Sequence, residues 1–105
     1  MSEGLKDLTV ADFEAETRNG VVLVDFWAPW CGPCRMQTPI LQGLAARVAG
    51  RAKIAKVNVD EEQELAMRYG VRSIPTLLLM KDGQVVQQLI GVQSEAKLAA
   101  LIENA

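Results

Sequence analysis

The stretch Val21-Val22-Leu23-Val24-Asp25-Phe26-Trp27-Ala28-Pro29-Trp30-Cys31-Gly32-Pro33-Cys34 decides how this chain of 105 residues is read. Its first seven residues, Val21 to Trp27, are β-branched, aliphatic or aromatic apart from one carboxylate, and they do not alternate with polar residues. Such a run suits a central strand covered on both faces. The turn from Pro29 to Pro33 ends the strand. Pro33 fits the first turn of a helix, where a missing backbone N–H costs little. Beyond it, Met36, Ile40, Leu41, Leu44, Ala45 and Val48 recur at helical spacing and are expected to face the core, with Gly50 as the stop. Pro39 lies inside this helix and is expected to bend it.

Working outward, residues from Thr9 or Ala11 to Thr17 carry a weaker helical pattern that Asn19-Gly20 ends. Ala52 to Val59 reads as a second strand. Asp60-Glu61-Glu62-Gln63 resembles a capping box opening a short helix, with Leu65, Ala66 and Tyr69 inward and Gly70 closing it. Thr76 to Met80 and Val85 to Ile90 flank Lys81-Asp82-Gly83-Gln84, and Asp-Gly between two such runs signals an antiparallel hairpin. A last helix starts near Ser94 and presents Leu98, Leu101 and Ile102 to the core. The order is strand–helix–strand–helix, then a hairpin and a helix. Its first part demands parallel strands with a right-handed crossover, and the hairpin adds antiparallel strands to the same sheet. The expected fold is α/β, one domain over residues 1–105, with a mixed central sheet flanked by helices on both faces.

Composition narrows the chemistry. Half the residues are hydrophobic and the net charge is −2, so neither nucleic acid nor an anionic membrane is expected as a partner. The stretch from Met1 to Val10 has no basic patch followed by an apolar run, and Val21–Val24 and Leu77–Met80 are far too short to span a bilayer. A cytoplasmic monomer is the expectation. The chain has no histidine, which removes a Ser-His-Asp triad and a Cys-His pair. It has two cysteines, Cys31 and Cys34, and nucleophilic or redox chemistry must centre on them.

Cys31 falls at the mouth of the helix and Cys34 one turn inside. Unpaired N–H groups and the positive end of the helix dipole stabilise a thiolate there, which lowers the Cys31 pKa toward working pH. One helical turn also brings the two Cα atoms within disulfide range. Three other uses of the pair stand beside a redox one. As a structural staple, so short a ring contributes only about 2 kcal/mol, against about 4.7 for a loop of 100 residues. As a zinc site, the chain lacks the four Cys or His ligands normally required, and no metal is expected. The third is a binding module whose thiol chemistry is incidental.

The chain resembles the thioredoxin family over essentially its whole length. The residues carrying the likeness are Val24-Asp25-Phe26-Trp27-Ala28, Trp30-Cys31-Gly32-Pro33-Cys34-Arg35, Pro39, Lys56-Val57-Asn58-Val59-Asp60, Tyr69-Gly70-Val71, Ile74-Pro75-Thr76, Asp82-Gly83 and Gly91. Trp-Cys-Gly-Pro-Cys with Asp25 and a downstream Ile-Pro-Thr is highly specific, whereas a lone Cys-x-x-Cys is weak. Ser73 and Met80 depart from many members and look tolerable. The resemblance implies a thioredoxin fold and a protein-disulfide reductase. Cys31 would attack a target disulfide, and Cys34 would resolve the mixed disulfide, leaving Cys31–Cys34 oxidised. No cofactor would be bound; an NADPH-dependent flavoprotein, thioredoxin reductase, would restore the dithiol. Pro75 would be cis and close to the cysteines. Trp30, Gly32, Pro33, Ile74, Pro75 and Gly91 would form the surface that meets disulfide-containing protein substrates, with backbone near Ile74 pairing to the extended target.

Asp25 also has a reading of its own. A carboxylate within a buried strand is desolvated, which raises its pKa and suits it to exchange a proton with Cys34, directly or through water. Lys56 resembles the family's partly buried lysine and would tune that charge. Trp27 is read as core packing, Trp30 as a shield and contact for targets, and Arg35 as a surface charge. Gly32 and Pro33 put no charge between the cysteines, which favours a reductant over an oxidant.

Overall fold

The computed structural model describes residues 4–105; the first three residues of the N-terminal stretch read above lie outside them. In chain order the elements are β1 (Lys6–Asp7), α1 (Phe13–Thr17), β2 (Val21–Trp27), α2 (Gly32–Arg47), β3 (Ala52–Asn58), α3 (Gln63–Arg68), β4 (Thr76–Lys81), β5 (Gln84–Ile90) and α4 (Glu95–Glu103). One five-stranded sheet runs β1-β3-β2-β4-β5. β2 is central, parallel to β3 and antiparallel to β4, and β5 closes the hairpin antiparallel to β4. The mixed sheet with helices on both faces is the architecture expected from the order of elements.

The unalternating run in β2 is explained by its two coats. Val22, Val24 and Phe26 join Val57, Leu78 and Met80 under Phe13 of α1 and Leu65 of α3. Leu23 joins Ile54, Leu77 and Leu79 under Leu41 and Leu44 of α2 and Leu98 and Ile102 of α4. Every second residue serves one layer, so both sets must be apolar. The Asp82-Gly83 turn has positive φ at both residues (51° and 85°), the backbone that a two-residue hairpin of native twist requires. Asp82 also ties this turn to the start of β2, its N–H donating to the Gly20 carbonyl at 2.9 Å and its Oδ1 accepting from Gly20 N–H at 2.8 Å.

Three expectations need correction. β1 pairs with β3 through Lys6 and Asp7 and was not foreseen. Two residues with exposed side chains carry no period to read. The capping box at Asp60–Gln63 does not form: Glu62 is the N-cap of α3 and makes no side-chain cap bond. Instead Asn58 Oδ1 accepts from the N–H groups of Asp60 and Glu61, at 2.9 and 3.3 Å, and turns the chain one step earlier. Met36 does not face the core but is 64% exposed, and Ile40 is only half-buried. The buried face of α2 runs through Cys34, Gln37, Leu41 and Leu44. An amide takes the place expected for a methionine because it finds two backbone partners, described below.

Candidate active site

At the end of β2 the chain turns through the buried Ala28, whose carbonyl accepts from Cys31 N–H at 3.2 Å. Cys31 is the N-cap of α2, with extended backbone (φ −91°, ψ 112°), and its Sγ accepts from Cys34 N–H at 3.2 Å. A sulfur thus fills the position where an oxygen side chain normally caps a helix. Gly32 and Pro33 form the first turn and are exposed, with Pro33 at a position that needs no donor. The two sulfurs are joined in a disulfide, with Cα atoms 5.2 Å apart. Cys31 retains 6% of its surface and Cys34 none, so an approaching molecule meets Cys31 first.

Behind the disulfide lies a charged pair within the sheet. Asp25 and Lys56 are register partners on β2 and β3, and both are buried. They share the α2 face of the sheet with Leu23 and Ile54, two residues nearer the other end of each strand. Neither Asp25 oxygen has a hydrogen-bond partner, and loss of water pushes its carboxyl from the ordinary 3.8 up to about 7, opposed by the charge of Lys56. Burial likewise lowers Lys56, against the attraction of Asp25 and Asp7. The ammonium donates to Thr38 Oγ1 at 2.8 Å and lies 4.0 Å from the centroid of the Trp27 ring. Trp27 is therefore half-buried packing that also covers a cation.

The residues expected to meet a target are brought to the same end of the sheet. The Ile74–Pro75 bond is cis, and the Ile74 carbonyl oxygen lies 3.8 Å from Cys31 Sγ. The Pro75 carbonyl accepts from Gly91 N–H at 2.9 Å, so the segments carrying Pro75 and Gly91 are held together. Gly91 has φ +89°, a backbone that side chains rarely adopt, while open space surrounds its missing Cβ. Trp30 is 67% exposed, and its indole Nε1 donates to Asp60 Oδ2 at 2.9 Å. A recess of about 340 Å³ opens between Trp30, Val59, Ala66, Val71 and Ile74, with Arg72 its one charged wall. A larger groove, about 820 Å³, lies between Gly20, Ala45, Gly50 and Lys53 and includes none of these residues. Arg35 is exposed and donates to the Pro29 carbonyl at 3.3 Å.

Three further residues contribute to the site that the motifs do not mark. Gln37, fully buried, accepts from Gln93 N–H at 2.7 Å and donates to the Gln93 carbonyl at 3.0 Å, pinning the segment after Gly91 to α2. Thr38 bridges Lys56 and the Cys34 carbonyl, donating to the latter at 3.3 Å. Asp60 anchors Trp30. The signal for Gln37 and Thr38 was their spacing: three and four residues beyond Cys34 they lie on the helix face that Cys34 occupies. Among the described residues no group of three or more His, Cys, Asp or Glu side chains converges as a metal site would need.

Comparison with known proteins gives the same reading. The family model for Thioredoxin matches residues 4–104. The chain is 52% identical to a thioredoxin of Bacillus subtilis over 96 residues, covering 91% of this chain and 92% of that one. It is 49% identical to a thioredoxin of Staphylococcus aureus over 97 residues, covering 92% and 93%. Its backbone matches a mutant thioredoxin from Halobacterium salinarum with a TM-score of 0.87 at 41% identity, over 99% of this chain and 93% of that one. A paired Cys31 and Cys34 on that fold reduce disulfides in other proteins by their own reversible oxidation. The chain belongs to the thioredoxin family.

Proposed function

We propose that Cys31 is the attacking sulfur, Cys34 the resolving one, and Asp25 the group that takes the proton from Cys34. The observation that carries this reading is the ordering of the site in depth: a sulfur with some exposure, a sulfur with none, and an unpartnered buried carboxyl behind them. The Cys31 thiolate attacks one sulfur of a target disulfide, a mixed disulfide forms, and the first target thiolate leaves. Cys34 then loses its proton to Asp25 and attacks Cys31 Sγ, and the second target thiolate departs. A carboxyl held at about 7 is suited to this step, because it accepts and returns protons near neutral pH. Lys56 moderates that value by its charge.

Protein substrates would dock on Trp30, Gly32, Pro33, Ile74, Pro75 and Gly91. The exposure of Trp30, the recess beside Ile74 and the nearness of the Ile74 carbonyl to Cys31 support that surface. Because the chain supplies both sulfurs and the carboxyl, we take the working unit as a monomer. The oxidised pair needs an outside source of electrons, and we assign this to thioredoxin reductase drawing on NADPH in the cytoplasm. Among the described residues no helix is long and apolar enough to cross a membrane.

Insulin reduction by dithiothreitol tests the proposal. Cys31→Ser is expected to abolish the acceleration, and Cys34→Ser to trap a mixed disulfide on Cys31. Unchanged catalysis by Cys31→Ser, or trapping on Cys34 when Cys31 is absent, would overturn the assignment. Turnover with NADPH and a thioredoxin reductase tests the electron source separately.

A further inference from the structure

Lys56 and Asp25 sit side by side on paired strands, oppositely charged and almost without water, yet the ammonium bonds elsewhere. It donates to Thr38 Oγ1 at 2.8 Å and covers the Trp27 ring, while both oxygens of Asp25 are left without a hydrogen bond. The Thr38 hydroxyl is suited to this. Its own hydrogen goes to the Cys34 carbonyl at 3.3 Å, so what it presents to Lys56 is a lone pair. A neutral oxygen on the redox helix thereby competes with the carboxylate for the one buried ammonium among the described residues.

We propose that Thr38 is a positioning residue whose hydroxyl holds the Lys56 ammonium off Asp25 and thereby sets the pH range in which Asp25 exchanges a proton with Cys34. The proposal rests on the reading of Asp25 given above and adds the residue that tunes it. An ammonium brought into direct contact with a carboxylate favours its ionised form far more than one held at a distance by another acceptor. The surroundings leave few other charges to act. β1 contributes Asp7, exposed, and the two sulfurs at the mouth of α2 carry no charge while joined in the disulfide. β4 places Leu77 opposite Asp25, and α4 presents Leu98 and Ile102 to the same face.

The test follows the Asp25 carboxyl by carbon NMR through a pH titration of the oxidised protein, parent against Thr38→Val. Valine keeps the branched shape and removes the hydroxyl. Deprived of that acceptor, Lys56 is expected to turn to Asp25, and the midpoint of the carboxyl to fall by about one unit. The pH profile for resolution of a mixed disulfide should move with it, and Thr38→Ser should restore both. A midpoint that stays in place or rises in folded Thr38→Val overturns the proposal. If Thr38→Val does not fold, Thr38→Ala puts the same question to the same signal. Asp25→Asn separates this result from the underlying reading. An unaltered resolution profile in that variant would remove the proton-exchange role of Asp25, whereas the Thr38 result is read on the carboxyl itself, with no turnover involved.

Discussion

The two faces of the sheet are cut from the same strands and do different work. On the α1/α3 face β2 offers Val22, Val24 and Phe26, apolar from end to end, and Tyr69 lies over this layer with its ring 5.3 Å from Phe13 and 6.3 Å from Phe26. On the α2/α4 face the neighbouring residues begin the same way with Leu23 and Ile54, then change to Asp25 and Lys56 as the strands approach the cysteines. One face is a packed core throughout. The other is core at one end and, at the other, holds a buried ammonium bonded to a helix hydroxyl beside a buried carboxyl that has no hydrogen bond. Alternation along a strand lets adjacent residues of one segment serve stability and chemistry without sharing an environment.

Variants that strike one face and spare the other can break this division. The largest effect is expected from Phe26→Ala, which empties a fully buried ring site and should cost about 3–5 kcal/mol in denaturant unfolding. Disulfide reductase activity per folded molecule should be retained. A loss of activity well beyond the loss of folded protein would show that the two faces are not separable.

Asp25→Asn is expected to act with the opposite sign. A group whose pKa is raised on folding contributes most favourably below its unfolded value and loses that contribution as pH rises through the folded one. The carboxyl, lifted from 3.8 to about 7, should therefore make the parent protein progressively less stable between those pH values, by up to about 4 kcal/mol. The amide variant should lack this slope and be the more stable protein at pH 8. Equal slopes in urea melts at pH 5 and pH 8 would refute the assignment of a costly buried charge to this face.

A smaller effect should follow Gln37→Leu. The side chain is replaced by one the sequence pattern would have favoured, yet the N–H and C=O of Gln93 lose their partner, at a cost of about 1–3 kcal/mol. Hydrogen exchange at the Gln93 amide should quicken more than at Leu41 or Leu44 on the same helix. If exchange is unchanged, the segment after Gly91 is held by something other than this clamp.

The elements that carry strong local patterns were legible in advance. β2 shows itself by an apolar run interrupted only by Asp25, the hairpin by Asp82-Gly83, and the mouth of α2 by Pro33. Apolar periodicity alone points to Met36 as core, whereas the buried position belongs to Gln37, whose amide finds backbone partners. β1 is too short to leave a pattern, and the turn before α3 is shaped by Asn58 rather than by a capping box.

Local chemistry along the chain was enough to place a strand, a turn and a helix around two cysteines one turn apart, and to mark Asp25 as a charge out of place among apolar neighbours. Those conclusions depend on residues close in sequence, where periodicity and backbone preference act directly. Which cysteine has any exposure, where the Lys56 ammonium bonds, and what satisfies Gln37 depend on contacts between segments 18 to 56 residues apart. Only the tertiary structure decides these, because a buried polar group takes its energy from the particular atoms packed against it.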